Sequence, residues 1–151
     1  MESIRDFMAE NHRQCDEFFV AVEQDLASAA WDKARVDFSR FRDAMHRHLA
    51  VEESILFPAF EKSTGMTMGP TQVMRGEHAQ IRELIEAAEG ALMAKDADDY
   101  SGYAETLLIM TQQHNMKEEN ILYPMCDQHL SSQLELLLPQ LKSGISATGS
   151  T

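Results

Sequence analysis

The chain has 151 residues, with 25 acidic and 13 basic side chains and a formal net charge of −12. A field this negative repels phosphate groups, which argues against nucleic-acid binding and against attachment to an anionic membrane. The two cysteines, Cys15 and Cys126, are too few for a disulfide framework, and charges occupy the N-terminal stretch where a signal peptide is apolar. We therefore expect a cytoplasmic protein.

Apolar residues recur every three or four positions along nearly the whole sequence, and no alternating stretch is long enough for a strand. The chain is therefore predicted to be all-α. A breaker segment at residues 63–70 separates two pairs of long helices, and Pro70 suits the first turn of the third helix. A short fifth helix follows the fourth, and residues 143–151 are predicted to be a flexible tail. The predicted helices span residues 3–28, 31–61, 70–95, 98–129 and 131–142.

Four long helices joined by short connectors favour an antiparallel up-down-up-down four-helix bundle, with a single domain over residues 1–142. In such a bundle, the residues that recur at intervals of three and four face a shared core. On each predicted long helix, one of these core-facing positions carries a histidine where Leu or Ile is expected. These residues are His12, His48, His78 and His114.

The sequence repeats after 66 residues without a gap, and this offset superposes the four core histidines of the two halves in pairs. The clearest part of the repeat is HLAVEESILFP at residues 48–58, which matches HNMKEENILYP at residues 114–124. A repeat of this length predicts that the chain is built from two copies of one helical hairpin that face each other.

Each copy carries a histidine and a glutamate four residues apart, His48 with Glu52 and His114 with Glu118. This spacing places both side chains on one face of a helix, about 5 to 6 Å apart. Burying imidazoles and carboxylates together is costly unless a cation compensates them. Four histidines and two glutamates, divided equally between two halves, therefore predict a two-metal site. Both carboxylates can bridge the metals, and coordination positions stay open for a small ligand.

Mixed imidazole and carboxylate ligands in a dry core favour iron, with manganese or zinc as substitutes. Structural zinc sites are usually rich in cysteine, and magnesium or calcium sites are rich in oxygen ligands. The ferritin-like di-iron motif Glu-x-x-His does not occur, because no histidine of this sequence has a glutamate three residues before it.

These motifs resemble the hemerythrin-like, HHE cation-binding family over residues 1 to about 130. The resemblance rests on the isolated histidine of ENHRQCDEFF, on HLAVEESILFP, on the EH of RGEHAQIREL and on HNMKEENILYP. It implies a non-haem di-iron centre, oxo- or hydroxo-bridged, in a four-helix bundle. The ligands that it implies are His12, His48, Glu52, His78, His114 and Glu118.

The chain departs from the oxygen-carrying hemerythrins at two positions. Those proteins place His-x-x-x-His on the third helix and His-x-x-x-x-Asp on the fourth, whereas this chain has Arg82 and Glu119 at the matching positions. The more symmetric set of this chain is similar to that of the iron-centre repair and nitric-oxide-stress branch. That branch usually carries an additional N-terminal segment with a cysteine, which this sequence does not have.

The resemblance implies a protein that binds or processes a small oxidant, O2, NO or peroxide, in sensing, in stress defence or in iron-centre repair. The alternative is a module that binds, stores or delivers iron without redox turnover. Catalysis is left open, because the sequence marks neither a reductase-docking site nor a substrate pocket. The expected partner is a small diatomic or peroxide ligand, with no nucleic acid and no membrane.

Further polar residues near these motifs have two interpretations each. Glu53 and Glu119 repeat one position after the predicted ligands, and they either form ion pairs or accept an N–H from an imidazole on an adjacent helix. Glu77 has the same two interpretations. His46 lies far around the helix from the predicted ligands and is expected to face solvent. Cys15 is expected to be a buried structural thiol.

Overall fold

The computed structural model describes residues 2–146, which are almost entirely helical and contain no β-strand. The all-α prediction is therefore confirmed. No helix within these residues is both long enough and apolar enough to cross a membrane. The α-helices of this part of the chain are α1 (Ile4–Ala27), α2 (Trp31–Val51), α3 (Phe57–Thr64), α4 (Pro70–Met93), α5 (Ala97–Lys117), α6 (Tyr123–His129) and α7 (Leu134–Ser146).

Several helix ends follow local signals in the sequence. The hydroxyl of Ser3 accepts a hydrogen bond from the amide of Asp6 at 2.9 Å and caps the start of α1. Asp96 caps α5 in the same way, through the amide of Asp99 at 3.0 Å. After α3 the chain turns at Gly65, whose φ of 74° lies in the left-handed region that favours glycine.

Two π-helical turns, Glu52–Leu56 and Glu118–Leu122, join α2 directly to α3 and α5 directly to α6. Each turn comes just before a proline, Pro58 or Pro124, in the first turn of the next α-helix. In an α-helix, a proline ring clashes with the carbonyl four residues earlier, and the wider turn relieves this clash. Each proline therefore marks a wider turn at the same place in both repeats.

A proline also lacks the N–H that would bond to a carbonyl of the preceding turn. Two arginines supply donors to the carbonyls five residues before the prolines. Arg75 donates to the carbonyl of Glu53 at 3.4 Å, and Arg5 donates to the carbonyl of Glu119 at 2.9 Å. The π-helical turns are therefore tied to neighbouring helices on both sides of the molecule.

Two apolar clusters fill the interior, and a layer of buried polar side chains lies between them. The first cluster includes Phe38, and the second includes Phe60 and is covered by α7. Along α1, His12 lies between Met8 of the second cluster and Cys15 of the first. On each of the other three long helices, the histidine also lies between residues of the two clusters. Apolar residues therefore shield the polar layer on both sides.

The last helix is longer than predicted. A 3-10 turn at Ser131–Gln133 precedes α7, which runs to Ser146 and not to residue 142. Residues 143–146, which were predicted to belong to a flexible tail, are therefore helical. Residues 147–151 of that predicted tail lie outside the described residues, and the domain boundary at residue 142 stays a prediction.

Contacts with α2 hold the end of α7 in place. Arg47 donates a hydrogen bond through Nε to the carbonyl of Ile145 at 3.0 Å. Gly144 approaches α2 so closely that a Cβ atom at this position would overlap Cγ1 of Val51. The glycine, which reads as a breaker in the sequence, thus permits the close packing of the two helices.

Candidate metal centre

The six residues that were predicted as metal ligands lie together in the polar layer. Four helices supply one histidine each, and each π-helical turn begins with one of the two glutamates. None of the six exposes more than 4% of its surface. Their role as ligands stays a prediction. The residues are His12 of α1, His48 of α2, His78 of α4, His114 of α5, and Glu52 and Glu118 of the π-helical turns.

Glu118 lies between the histidines of the two repeats. Its Oε1 is 3.1 Å from Nε2 of His12, 3.9 Å from Nε2 of His48 and 3.4 Å from Nε2 of His114. Two groups of ligand atoms, each within 4.8 Å of one another, therefore share this carboxylate. The groups are His12, His48 and Glu118, and Glu52, His78, His114 and Glu118.

Glu52 makes the matching contacts from the first repeat. Its Oε1 lies 3.1 Å from Nε2 of His78 and 3.7 Å from Nε2 of His48. Each carboxylate thus reaches at least one imidazole of both repeats, which is the placement that a bridging carboxylate requires.

The second ring nitrogen of each histidine, Nδ1, donates a hydrogen bond away from the centre. The acceptors are side-chain oxygens of neighbouring helices, at 2.6 to 2.7 Å. With Nδ1 as the donor, a neutral imidazole has its lone pair on Nε2, and this atom faces the centre. The pairs are His12 with Glu119, His48 with Asn11, His78 with Glu53, and His114 with Glu77.

Surface cations hold the outer carboxylates in place, so these residues form ion pairs as well as accepting an imidazole N–H. Arg82 binds Glu53 through both carboxylate oxygens, at 2.7 and 3.0 Å, and Lys117 donates to Glu77. Burial opposes the ionisation of Glu53, but the hydrogen bonds from Arg82 and His78 hold its pKa below the usual value. A chain of contacts thus runs from a surface cation through a carboxylate to an imidazole.

The two positions that depart from the oxygen carriers both lie in this outer set of residues. Arg82 contacts Glu53 and does not reach the centre. Glu119 accepts from Nδ1 of His12, the nitrogen that points away from the centre. Both residues therefore orient an imidazole and supply no atom to the group of inward-facing ligands.

Several inward-facing atoms have no hydrogen-bond partner among the described residues. They include Nε2 of His78 and His114, Oε1 of Glu52 and Oε2 of Glu118. Nε2 of His78 and Oε1 of Glu52 lie 3.1 Å apart without a hydrogen bond between them. Buried acceptors that face each other without a donor are unfavourable, and a cation between them removes this cost. The donor set therefore fits a metal ion.

In the metal-free layer, the histidines differ strongly in basicity. Burial lowers the pKa of His48 from 6.5 to about 4 and that of His78 from 6.5 to about 4. Burial acts on His12 in the same direction, but its hydrogen bonds to Glu118 and Glu119 outweigh burial and raise its pKa from 6.5 to about 9. A metal that binds Nε2 of His12 must therefore displace a proton.

Two residues of the centre were not predicted from the sequence. Tyr123 places its hydroxyl 2.6 Å from Oε2 of Glu52 and 2.9 Å from Oε1 of Glu118. Asn11 is buried and accepts an imidazole N–H. The repeat carried a signal for both residues, since it superposes Asn11 on Glu77 and marks Tyr123 as a position where the two copies differ.

The remaining candidates lie outside the centre. His46 is exposed, as predicted, and His129 is exposed at the C-terminal end of α6. Cys15 and Cys126 are free and buried, as was expected for Cys15. Burial raises the pKa of the Cys15 thiol to about 12, so this thiol stays protonated and unreactive.

Comparison with known protein families gives a match. A family model described as hemerythrin HHE cation binding domain matches residues 3–126, which include all six predicted ligands. No curated protein and no solved structure matches the chain significantly.

Proposed function

The chain belongs to the hemerythrin HHE cation-binding domain family, and from this premise we propose that its polar layer binds two iron ions. The histidines of the first repeat would hold one ion, those of the second repeat would hold the other, and both glutamates would be shared between them. The proposed ligands are His12 and His48 for the first ion, His78 and His114 for the second ion, and Glu52 and Glu118 for both.

The main support for this proposal is that buried hydrogen-bond acceptors face one another in the polar layer without donors. A polar layer that only fixed the register of the helices would have to satisfy its own hydrogen bonds. Among the described residues, Oε1 of Glu52 and Oε2 of Glu118 are buried without a hydrogen-bond partner, and so are Nε2 of His78 and His114. Metal ions at the centre would bind these atoms and compensate the two buried carboxylates.

Iron suits this donor set better than the other common metals. Structural zinc sites are usually rich in cysteine, whereas Cys15 belongs to the first apolar cluster and Cys126 to the second. Magnesium and calcium prefer cages of oxygen ligands, whereas four of the six proposed ligands are imidazoles. Mixed nitrogen and oxygen ligands favour a transition metal such as iron.

We propose that the centre binds or processes a small oxidant, O2, NO or peroxide, in sensing, in stress defence or in iron-centre repair. A pair of iron ions supplies one-electron redox changes and open positions for a small ligand. The residues of the chain keep the imidazoles oriented through Nδ1 and exclude bulk water through the two apolar clusters. Three of the four imidazoles donate to carboxylates, which increases the basicity of the ring as a ligand.

We further propose the antiparallel up-down-up-down arrangement for the four long helices. Contacts between neighbouring helices support it, because they connect rising residue numbers on one helix with falling numbers on the next. Ile4 contacts Asp127, whereas His12 contacts Glu119. Arg42 of α2 contacts Glu89 of α4, whereas Glu52, in the π-helical turn after α2, contacts the earlier residue His78 of α4.

The cytoplasm is the compartment that we propose for the protein. Cys15 and Cys126 are free and buried, and a reducing compartment keeps such thiols free.

Exposure of the iron-loaded, reduced protein to O2, NO and peroxide tests this function. We expect at least one of them to change the absorption spectrum, and we expect no change in the variant Glu118→Ala. Stable and reversible oxygenation would show that the chain carries oxygen although Arg82 stands where the oxygen-carrying hemerythrins have a histidine. If none of the three changes the spectrum of a protein that holds iron, storage or delivery without turnover replaces the proposal.

A further inference from the structure

The hydroxyl of Tyr123 lies among the proposed ligands. The side chain is fully buried, and its oxygen is 3.3 Å from Nε2 of His12 and 3.3 Å from Nε2 of His48. The same oxygen is 2.9 Å from Oε1 of Glu118 and 2.6 Å from Oε2 of Glu52. Four proposed ligand atoms therefore surround one phenolic oxygen.

The π-helical turn explains how this side chain reaches the layer. In an α-helix, the fifth residue after Glu118 would point roughly 140° away from it, because successive residues turn by about 100°. The amide of Tyr123 instead bonds to the carbonyl of Glu118, and the wider turn brings both side chains to the same face. Phe57 follows Glu52 in the same way in the first repeat.

The Tyr123 oxygen also has the spacing of a ligand. Metal bonds of about 2.1 Å place neighbouring ligand atoms roughly 3.0 Å apart in an octahedron and about 3.4 Å apart in a tetrahedron. The Nε2 atoms of His12 and His48 are 3.1 Å apart, and they lie 3.1 and 3.9 Å from Oε1 of Glu118. The phenolic oxygen is 2.9 to 3.3 Å from all three of these atoms, so the four atoms fit around one ion.

The histidine pair of the second repeat has no equivalent oxygen from the matching residue. The repeat superposes Phe57 on Tyr123. The ring of Phe57 stacks on His78 with centroids 5.5 Å apart, and the ring of Tyr123 stacks on His12 with centroids 5.7 Å apart. The two rings occupy matching places and differ by one hydroxyl.

We propose that the oxygen of Tyr123 is a further ligand of the metal ion that His12 and His48 hold, an inference that rests on the proposed function. The phenolic O–H bond breaks as the oxygen–metal bond forms, and the proton leaves to solvent. The ion at this position has one protein ligand more than its neighbour. The small oxidant therefore binds at the other position, beside His78 and His114.

Visible absorption and resonance Raman spectra of the iron-loaded protein, oxidised to the ferric state, test this assignment. A phenolate bound to ferric iron gives a charge-transfer band and ring vibrations that imidazole and carboxylate ligands do not give. We expect this signature in the wild type and expect it to vanish in Tyr123→Phe, with the iron content of the two proteins within about twofold of each other. Phe57→Tyr is the matched variant, because it offers the same hydroxyl to the other ion and should intensify the signature.

Two spectroscopic results overturn the assignment, and a metal count separates them from a failure of the proposed function. A wild type that holds about two ferric ions per chain without the phenolate signature leaves Tyr123 as a hydrogen-bond donor to Glu52. A signature that persists in Tyr123→Phe also overturns it. Fewer than about one iron per chain contradicts the proposed function itself.

Zinc provides a second measurement that does not depend on redox chemistry. Addition of zinc to the metal-free protein should produce the ultraviolet difference spectrum of a tyrosinate in the wild type. Tyr100 and Tyr103 remain in Tyr123→Phe, and we expect no tyrosinate signal from this variant although it binds zinc. An equal signal from both proteins contradicts ligation by Tyr123.

Discussion

The polar layer has two halves that the repeat superposes, and the halves are not equivalent. All four histidines are buried and donate a hydrogen bond outward, but the aromatic residue differs between the halves, and so does one outer acceptor, Asn11 or Glu77. Under the proposed function, the repeat would provide two similar metal positions, and the differences at these two positions would be enough to make them unequal. The tyrosine half contains His12, His48, Asn11 and Tyr123, and the phenylalanine half contains His78, His114, Glu77 and Phe57.

The largest expected effect comes from the residue that both halves share. Glu118→Ala removes a carboxylate that lies 3.1 to 3.9 Å from three imidazoles, so both halves should lose metal. We expect the affinity for iron to fall at least about tenfold, because even changes to the partners of ligands lower metal affinity by this much, and the iron content after loading should fall with it. Glu105→Ala, which changes an exposed glutamate of α5, the helix before this turn, is the control. Wild-type iron content in Glu118→Ala contradicts a shared carboxylate.

Removing one histidine should abolish metal binding in one half only. His48→Ala acts on the tyrosine half and His114→Ala on the phenylalanine half, so each variant should retain roughly half of the wild-type iron. The exposed His46 provides the control His46→Ala, which we expect to retain all of it. Elemental analysis of the loaded proteins measures the difference. If His48→Ala and His114→Ala lose no more metal than His46→Ala, the proposed ligands are wrong.

Exchanging the outer acceptors should change the affinities of the halves in opposite directions. Glu77→Gln replaces a charged acceptor of His114 with a neutral one, which should weaken iron binding in the phenylalanine half about tenfold. Asn11→Asp should strengthen binding in the tyrosine half. Titration against a competing chelator resolves the two affinities, with the exposed Glu86→Gln as a control. Unchanged affinities in both variants show that the outer acceptors have no influence on the metal.

The pH dependence of stability gives the smallest effect and concerns the metal-free protein. The pKa values of His48 and His78 are about 4 in the folded chain and 6.5 without perturbation. The unfolded chain therefore binds more protons between these values, and the free energy of unfolding should fall as the pH falls from 6.5 to 4. Each histidine contributes at most about 1.4 kcal/mol per pH unit.

His12 adds the opposite dependence on the alkaline side. Its pKa of about 9 means that its stabilising contribution is complete below pH 6.5 and is lost as the pH rises to about 9. Urea unfolding of the metal-free protein should therefore show a maximum of stability near pH 6.5. A free energy of unfolding that does not change between pH 4 and pH 9 contradicts these pKa shifts.

The sequence predicted the helices and the composition of the polar layer, because both follow from local spacing. Apolar periodicity identified the helices, and the gapless repeat identified His12 and His78 although neither has a glutamate four residues later. The structure brings all six predicted residues together. Patterns of this kind need no knowledge of which helices are neighbours.

Features that depend on contacts between helices could not be predicted. The extension of α7 to Ser146 rests on the approach of Gly144 to α2, and composition alone indicated a flexible tail. Asn11 acquires its role only because α2 places His48 beside it. Tyr123 reaches the centre through a π-helical turn, which a periodicity of 3.6 residues does not reveal.

The number of metal ions that the chain binds tests the central claim most directly. Protein loaded with ferrous iron under argon, freed of excess metal and analysed for iron and protein should contain about two iron ions per chain. His46→Ala should contain the same amount. Fewer than about one iron ion per chain in the wild type would contradict the claim that the buried histidines and glutamates form a two-metal centre.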